Sequence, residues 1–341
     1  MKTTTRRAIL ICGAPRSGTT WIGDVCQSAP ATRYAFEPDN AKSSLLAWGR
    51  GELRHRFEAL DPSVDDHSGE VFWRRIFAWD ALDERLAPLF QSWASAHAVR
   101  RERLVAEACG LVHFDSRMRT VDASRSARRV GLAYRMLEGV GAWSMRRRGA
   151  SADCERLIVK SVHALFQLDW LAARFDPQVV LVSRNPYALY ASYRRLAMPD
   201  GVRNIVSQPR VQAALDAERP GWRRFEAEVA NPLAVQTGLL CWWTERLRRA
   251  HPGWIHVAHD RLCADPEAQF RSLFGRLALA YPGPAEARLT ASMRPGSGFT
   301  PNRIPQDQPT KWRRELDASE VAALDATCAF FRLDSNGPEV H

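Results

Sequence analysis

The stretch "AILICGAPRSGTTWIGDV", residues 8–25, decides the fold. Five apolar residues, Ala8 to Cys12, run into Gly13, and a short turn leads to Thr19, where helix-forming residues begin. An apolar run too short for a helix, closed by a glycine, reads as a buried parallel strand that hands over to a helix. Gly13 and Gly18 stand at the spacing of the phosphate loop GxxxxGK[ST], but Thr19 occupies the lysine position. Such a turn offers backbone N–H groups and the positive end of a helix to an oxyanion. Ser17, Thr19 and Thr20 add hydroxyl donors, and Arg16 adds a fixed charge with forked donors.

Three more segments share the strand character: Leu157 to Lys160, Val179 to Ser183 and Trp254 to Ala258. Helix-period patterns cover Thr19 to Gln27, Ala164 to Arg174, Tyr187 to Leu196, Val235 to Arg249 and Pro266 to Leu279. Strands alternating with helices predict an α/β fold, a P-loop-like central parallel sheet flanked by helices. Residues 43–150 contain no convincing strand and are rich in tryptophan, arginine and helix formers, which predicts a helical insertion capping the active site. Residues 294–316 are Pro/Gly-rich and polar and read as a functional loop. No linker divides residues 1–341, so one domain is expected.

Composition narrows the class. The net charge is +10, with 44 arginines, four lysines and 38 acidic residues spread along the chain. No nucleic-acid-binding motif accompanies the charge, so a compositional bias or an anionic ligand is the reading and nucleic acid is not expected. The seven cysteines are dispersed and never in CxxC spacing, which suits free thiols in a reducing compartment. No apolar run reaches the roughly 18–20 residues of a membrane span, and the run after Arg6 and Arg7 is too short for a signal-peptide core. The expectation is a cytoplasmic monomer or homodimer. The nine histidines form no ligand-spaced cluster, and no metal is implied.

The next strand sharpens the anion. A metal-dependent phosphotransferase needs a loop lysine and a strand-end aspartate for Mg²⁺. Here "VVLVSRNPYALYASYRR", beginning at Val179, ends its strand with Ser183 and Arg184. "GAPRSGTTW" resembles the 5′-phosphosulfate loop of sulfotransferases that use 3′-phosphoadenosine 5′-phosphosulfate (PAPS). Arg184 and Ser192, eight positions apart, resemble that family's 3′-phosphate element. By this resemblance Arg16, Ser17, Gly18, Thr19, Thr20, Trp21, Arg184 and Ser192 bind PAPS and its product, 3′-phosphoadenosine 5′-phosphate (PAP). Lys311 and Trp312 resemble the C-terminal loop that closes over the cofactor. The PRSGTT sequence is similar to the branch holding tyrosylprotein and carbohydrate sulfotransferases.

Sulfuryl transfer builds negative charge on the departing oxygen, and Arg16 is placed to stabilise it. Lys160 by the same resemblance reaches the transferred group. An acceptor hydroxyl needs a base. Glu37 in "TRYAFEPDN" lies 21 positions after Arg16, similar to the catalytic glutamate of tyrosylprotein sulfotransferases. His163 in "LIVKSVHALF" is similar to the histidine that follows a strand-end lysine in cytosolic and bacterial members, with shifted spacing. Both stand as base candidates. The Glu37-Pro38 pair also resembles carbohydrate sulfotransferases, and that resemblance implies a glycan or glycosylated small molecule as acceptor, with a phenolic or tyrosine hydroxyl as the alternative. The rival readings are a P-loop phosphotransferase and an inactive nucleotide-binding protein.

Overall fold

Alternate residues of the strand Ile9–Gly13 (β1) belong to two different cores. Leu10 and Cys12 pack into one apolar cluster, and Ile9 and Ile11 into another. The same parity holds for Leu157 and Val159 against Ile158 in Arg156–Ser161 (β3), and for Val179 and Leu181 against Val180 and Val182 in Gln178–Ser183 (β4). Strands buried on both faces read as continuous apolar runs, which is why these three are legible without an alternating pattern. The computed structural model describes residues 7–40, 57–77, 156–296 and 303–334.

The sheet has five strands in the order β2-β3-β1-β4-β5, every pairing parallel. The fold is therefore α/β with a central parallel sheet between two helical layers. Thr32–Phe36 (β2) is an edge strand that the four expected strands do not include. It is only half-buried, so it lacks the apolar density that marks the others. Ile255–Ala258 (β5) closes the opposite edge.

One face carries the helix Thr19–Cys26 (α1), backed by Pro266–Arg276. The other carries Pro186–Arg195 (α2), Pro232–Ala250 (α3) and Ala318–Phe331 (α4). Asn185 caps α2, accepting from the amides of Tyr187 and Ala188, and Pro186 sits at its first position. Asn231 and Pro232 start α3 three residues before the expected Val235. The helix expected over Ala164 to Arg174 is a 3₁₀ turn, His163–Gln167, followed by an α-helix, Leu168–Phe175. That expected over Pro266 to Leu279 stops at Arg276, where Ala278 turns left-handed at φ 51°.

Of the insertion 43–150, only residues 57–77 are described; they hold a helix, His67–Phe77, and the rest of that expectation lies outside the described residues. The described parts of 294–316 are more ordered than a loop. They contain a 3₁₀ turn, Pro305–Asp307, and a short helix, Trp312–Glu315.

Candidate active site

The carboxyl ends of all five strands contribute to one cleft of about 470 Å³. Two glycines shape its floor. A Cβ on Gly13 would lie 2.4 Å from the Val182 carbonyl oxygen of the adjacent strand. Gly18 has φ +100°, and a Cβ there would lie 2.5 Å from the His259 ring. Between them Arg16 takes a left-handed conformation, φ 67°. For a non-glycine residue this costs energy and persists only where the surroundings hold it. Arg184 Nη1 donates to the Arg16 carbonyl at 2.7 Å, and Tyr193 OH donates to the Pro15 carbonyl at 2.8 Å. Arg16 Nε donates to Ser192 Oγ at 3.3 Å. Helix α2 thus clamps the loop from the neighbouring strand. No side chain caps α1 at Gly18, which leaves the first amides of that helix for a ligand.

This end is rich in cations, of which Arg195 is paired with Glu315 at 2.5 Å. Burial comes first in lowering the Arg16 pKa to about 10, and the guanidinium groups of Arg303, Arg184 and Arg195 add to it. Burial likewise lowers Arg184, partly offset by Asp260. Arg184 Nε is buried with no hydrogen-bond partner among the described residues. Cations crowded together, one with an unspent buried donor, suit an oxyanion that would complete them.

The other end is self-neutralising. Glu37 continues the edge of β2, its amide donating to the Lys160 carbonyl at 2.7 Å. It then turns left-handed at φ 43°, and Asn40 N closes the turn on the Glu37 carbonyl at 3.0 Å. Lys160 Nζ reaches Glu37 Oε1 at 2.5 Å, and Asn40 Nδ2 donates to Oε2 at 2.7 Å. Burial would raise the Glu37 carboxyl, but the Lys160 ammonium, then the charge of His163, and these hydrogen bonds override it and hold the pKa at about 2. Lys160 itself is 2% exposed and lies 4.7 Å from the centre of the Phe36 ring. One residue on, Ser161 Oγ donates to Asp39 Oδ2 at 2.6 Å. Two cross-links, Lys160 to Glu37 and Ser161 to Asp39, therefore tie the turn after β2 to the end of β3.

Of the residues singled out by sequence, Arg16, Gly18, Thr19, Thr20, Trp21, Glu37, Lys160, Arg184 and Ser192 line this cleft. Ser17 lies beneath the loop, its Oγ buried beside Gly13. His163 is 4% exposed, opens the 3₁₀ turn and packs on Phe57 with ring centres 5.4 Å apart; it does not line the cleft. Lys311 and Trp312 do not line it either. Lys311 lies 3.4 Å from Glu315, and Trp312 stacks on Tyr187 at 4.5 Å. The C-terminal segment instead contributes Arg303, and α2 contributes Arg195, both without a distinguishing sequence signal in so arginine-rich a chain. Asn40 and Asp39 were within reach of sequence reasoning, since Pro38 and Asn40 mark a turn directly after Glu37.

A model described as the sulfotransferase family matches residues 8–283. No curated protein matches the chain in sequence. Among solved structures, sulfotransferase STF9 from Mycobacterium avium is similar at 14% identity and TM-score 0.40, over 96% of this chain and 76% of that one. The sulfotransferase domain of the curacin biosynthetic pathway is similar at 12% identity and TM-score 0.40, over 96% and 98%. Sulfotransferase STF1 from Mycobacterium tuberculosis H37Rv is similar at 18% identity and TM-score 0.32, over 84% and 71%.

Proposed function

Because the chain belongs to the sulfotransferase family, we propose that its cleft takes PAPS as donor and passes the sulfuryl group to a hydroxyl of a second substrate. The observation that carries this reading is the opposition, across one cleft, of a cationic cluster and a carboxylate–ammonium pair. PAPS bears phosphate at both ends of a nucleoside, and two anion sites are available. The loop amides, Thr19, Thr20 and Arg16 suit the 5′ end; Arg184 and Ser192 suit the 3′ phosphate, with the buried Nε of Arg184 still to be satisfied.

The donor supplies a sulfuryl group on a phosphate oxygen that departs as part of PAP. Arg16, held by Ser192 and by the strained loop, meets the charge that develops there. Glu37 is ionised at neutral pH and can accept a proton, but its pKa of about 2 makes it a weak base while Lys160 rests on it. When Lys160 turns to the transferred group, Glu37 loses its strongest stabilising partner and gains basicity. The acceptor proton then passes to Glu37 as the acceptor oxygen bonds to sulfur. His163, packed against Phe57 outside the cleft wall, has no comparable access to an acceptor in this arrangement.

The test is thermal stabilisation by PAP against ATP with Mg²⁺. A ligand at a hundredfold its dissociation constant adds about 2.7 kcal/mol to the folded state. PAP is expected to raise the melting temperature at micromolar concentration; a larger rise with ATP and Mg²⁺ overturns the donor assignment and favours a phosphotransferase.

A further inference from the structure

Two side-chain ties join the turn after β2 to the end of β3, and the reaction needs them to behave differently. The Lys160–Glu37 pair lines the cleft and must part before Lys160 can meet the transferred group. The Ser161–Asp39 hydrogen bond lies behind it, with Asp39 6% exposed and Ser161 fully buried. Every hydrogen-bonding capacity of the Ser161 hydroxyl is in use: it donates to Asp39 Oδ2 at 2.6 Å and accepts from the amides of His163 and Ala164 at 3.1 and 3.0 Å. Ser161 thereby joins the start of the 3₁₀ turn to the turn that carries Glu37. A hydroxyl used in full resists rearrangement, because moving Asp39 strips it of its acceptor.

Glu37 is left-handed at φ 43°, a conformation that persists where neighbours hold it. Its amide is fixed on the Lys160 carbonyl, and with the Lys160 ammonium withdrawn Asn40 Nδ2 still donates to Oε2. Asn40 follows Asp39 in the chain, so whatever fixes Asp39 also places the group that keeps the carboxylate. We propose that Asp39 is a positioning residue for sulfuryl transfer: through Ser161 it holds the Glu37 turn on β3 while Lys160 is away. This rests on the reading of PAPS as donor and Glu37 as base given above. The hydrogen bond, more than the charge, carries the role. Burial, then the Glu37 charge, raises the Asp39 carboxyl to about 7, so near neutral pH both of its forms are present. An oxygen of either form accepts from Ser161, and an amide oxygen can do the same.

The experiment uses the full chain with PAPS and follows PAP release with 4-nitrophenol, N-acetylglucosamine or water as acceptor. On the acceptor that the parent chain turns over fastest, Asp39→Ala is expected to lower kcat roughly 10–100-fold, the penalty of a displacement of about 1 Å at the base. The KM for PAPS and the PAP-induced rise in melting temperature stay those of the parent. Asp39→Asn, whose amide oxygen accepts from Ser161, is expected to restore kcat to within about threefold of the parent. Ser161→Ala removes the donor and should fall at least as far as Asp39→Ala, with the double variant no lower than Ser161→Ala alone. A merely structural weakening would show neither the rescue nor the non-additivity. Parent-like kcat in Asp39→Ala, an Asn variant no better than Ala, or losses that multiply in the double variant would each overturn the role. Amide exchange over residues 36–40 reads the same tie without turnover: at least about tenfold faster in Asp39→Ala and in Ser161→Ala, and parent-like in Asp39→Asn, with equal rates throughout overturning it. Parent-like turnover in Glu37→Gln would instead overturn the base, and absence of PAP stabilisation in the parent chain the donor.

Discussion

The loop after β1 and the turn after β2 are built alike, but one gathers cations and the other neutralises its own charge. Each leaves the carboxyl end of a parallel strand through a left-handed non-glycine residue, Arg16 at φ 67° and Glu37 at φ 43°. Each is pinned by a neighbouring strand, through Arg184 in one case and Lys160 in the other. The loop gathers arginines that repel one another, whereas the turn pairs its carboxylate with an ammonium in a buried salt bridge. The first arrangement gains by taking in an anion. The second is complete as it stands and must open before either partner can do chemistry, since separating a buried pair leaves both charges uncompensated.

The difference can be broken most sharply at Glu37. Glu37→Gln should lower kcat by roughly 10²–10⁴-fold, the usual contribution of a positioned base, while PAP affinity measured by calorimetry stays near the parent value. His163→Gln should leave kcat within a few-fold. A reversed pattern would move the base to the 3₁₀ turn. At the cationic end the expected split is opposite: Arg184→Ala removes charge-assisted hydrogen bonds worth about 1.5–3 kcal/mol and should weaken PAP binding roughly 10–100-fold. The Arg16 carbonyl also loses its donor in that variant, so part of the loss should appear in kcat.

Gly18→Ala tests the loop's shape rather than its charge. The left-handed backbone and the His259 ring both oppose a Cβ, and a loss of about 1–3 kcal/mol in unfolding free energy is expected by denaturant titration. The smallest effect concerns pH. Burial first, then the Glu37 charge, raises the Asp39 carboxyl to about 7, against a partial offset from Ser161. The folded state therefore binds this proton more tightly than the unfolded chain, and Asp39 makes stability fall as pH rises from about 4 to 7. Glu37, depressed from 4.5 to about 2, acts the other way: its contribution is present above 4.5 and lost as pH falls toward 2. Asp39→Asn should flatten the melting-temperature profile between pH 4 and 7 and leave the acid limb unchanged. An unaltered profile would mean that Asp39 meets the same environment folded and unfolded.

Much of this was legible in sequence because the central strands are buried on both faces. The runs at Ala8, Leu157 and Val179 carry a continuous apolar signal, and the helices after the first and third begin with a glycine and an Asn-Pro cap. Strand β2 escaped because its residues are half-exposed, although Thr32, Tyr34 and Phe36 are good strand formers. Tyr34 also explains a glycine that sequence alone leaves idle: a Cβ on Gly23 in α1 would meet the Tyr34 hydroxyl at 2.3 Å. Lys311 and Trp312 resemble a closing loop but do not line the cleft, whereas Arg303, eight positions earlier, does. A scarce residue type marks a position as unusual without saying what lies across from it.

From the order of residues alone follow the α/β class, the glycine-bounded turn at Gly13 to Gly18 and the cationic strand end at Arg184, because strand and helix character and turn chemistry are carried by residues close together in the chain. Only the tertiary structure decided that Lys160 meets Glu37 across 123 positions and that four arginines from three segments line one cleft. Those juxtapositions come from strand order and register. Placing β3 between β1 and β2 brings Lys160 beside Phe36 and Glu37, and no local pattern encodes which strand becomes whose neighbour.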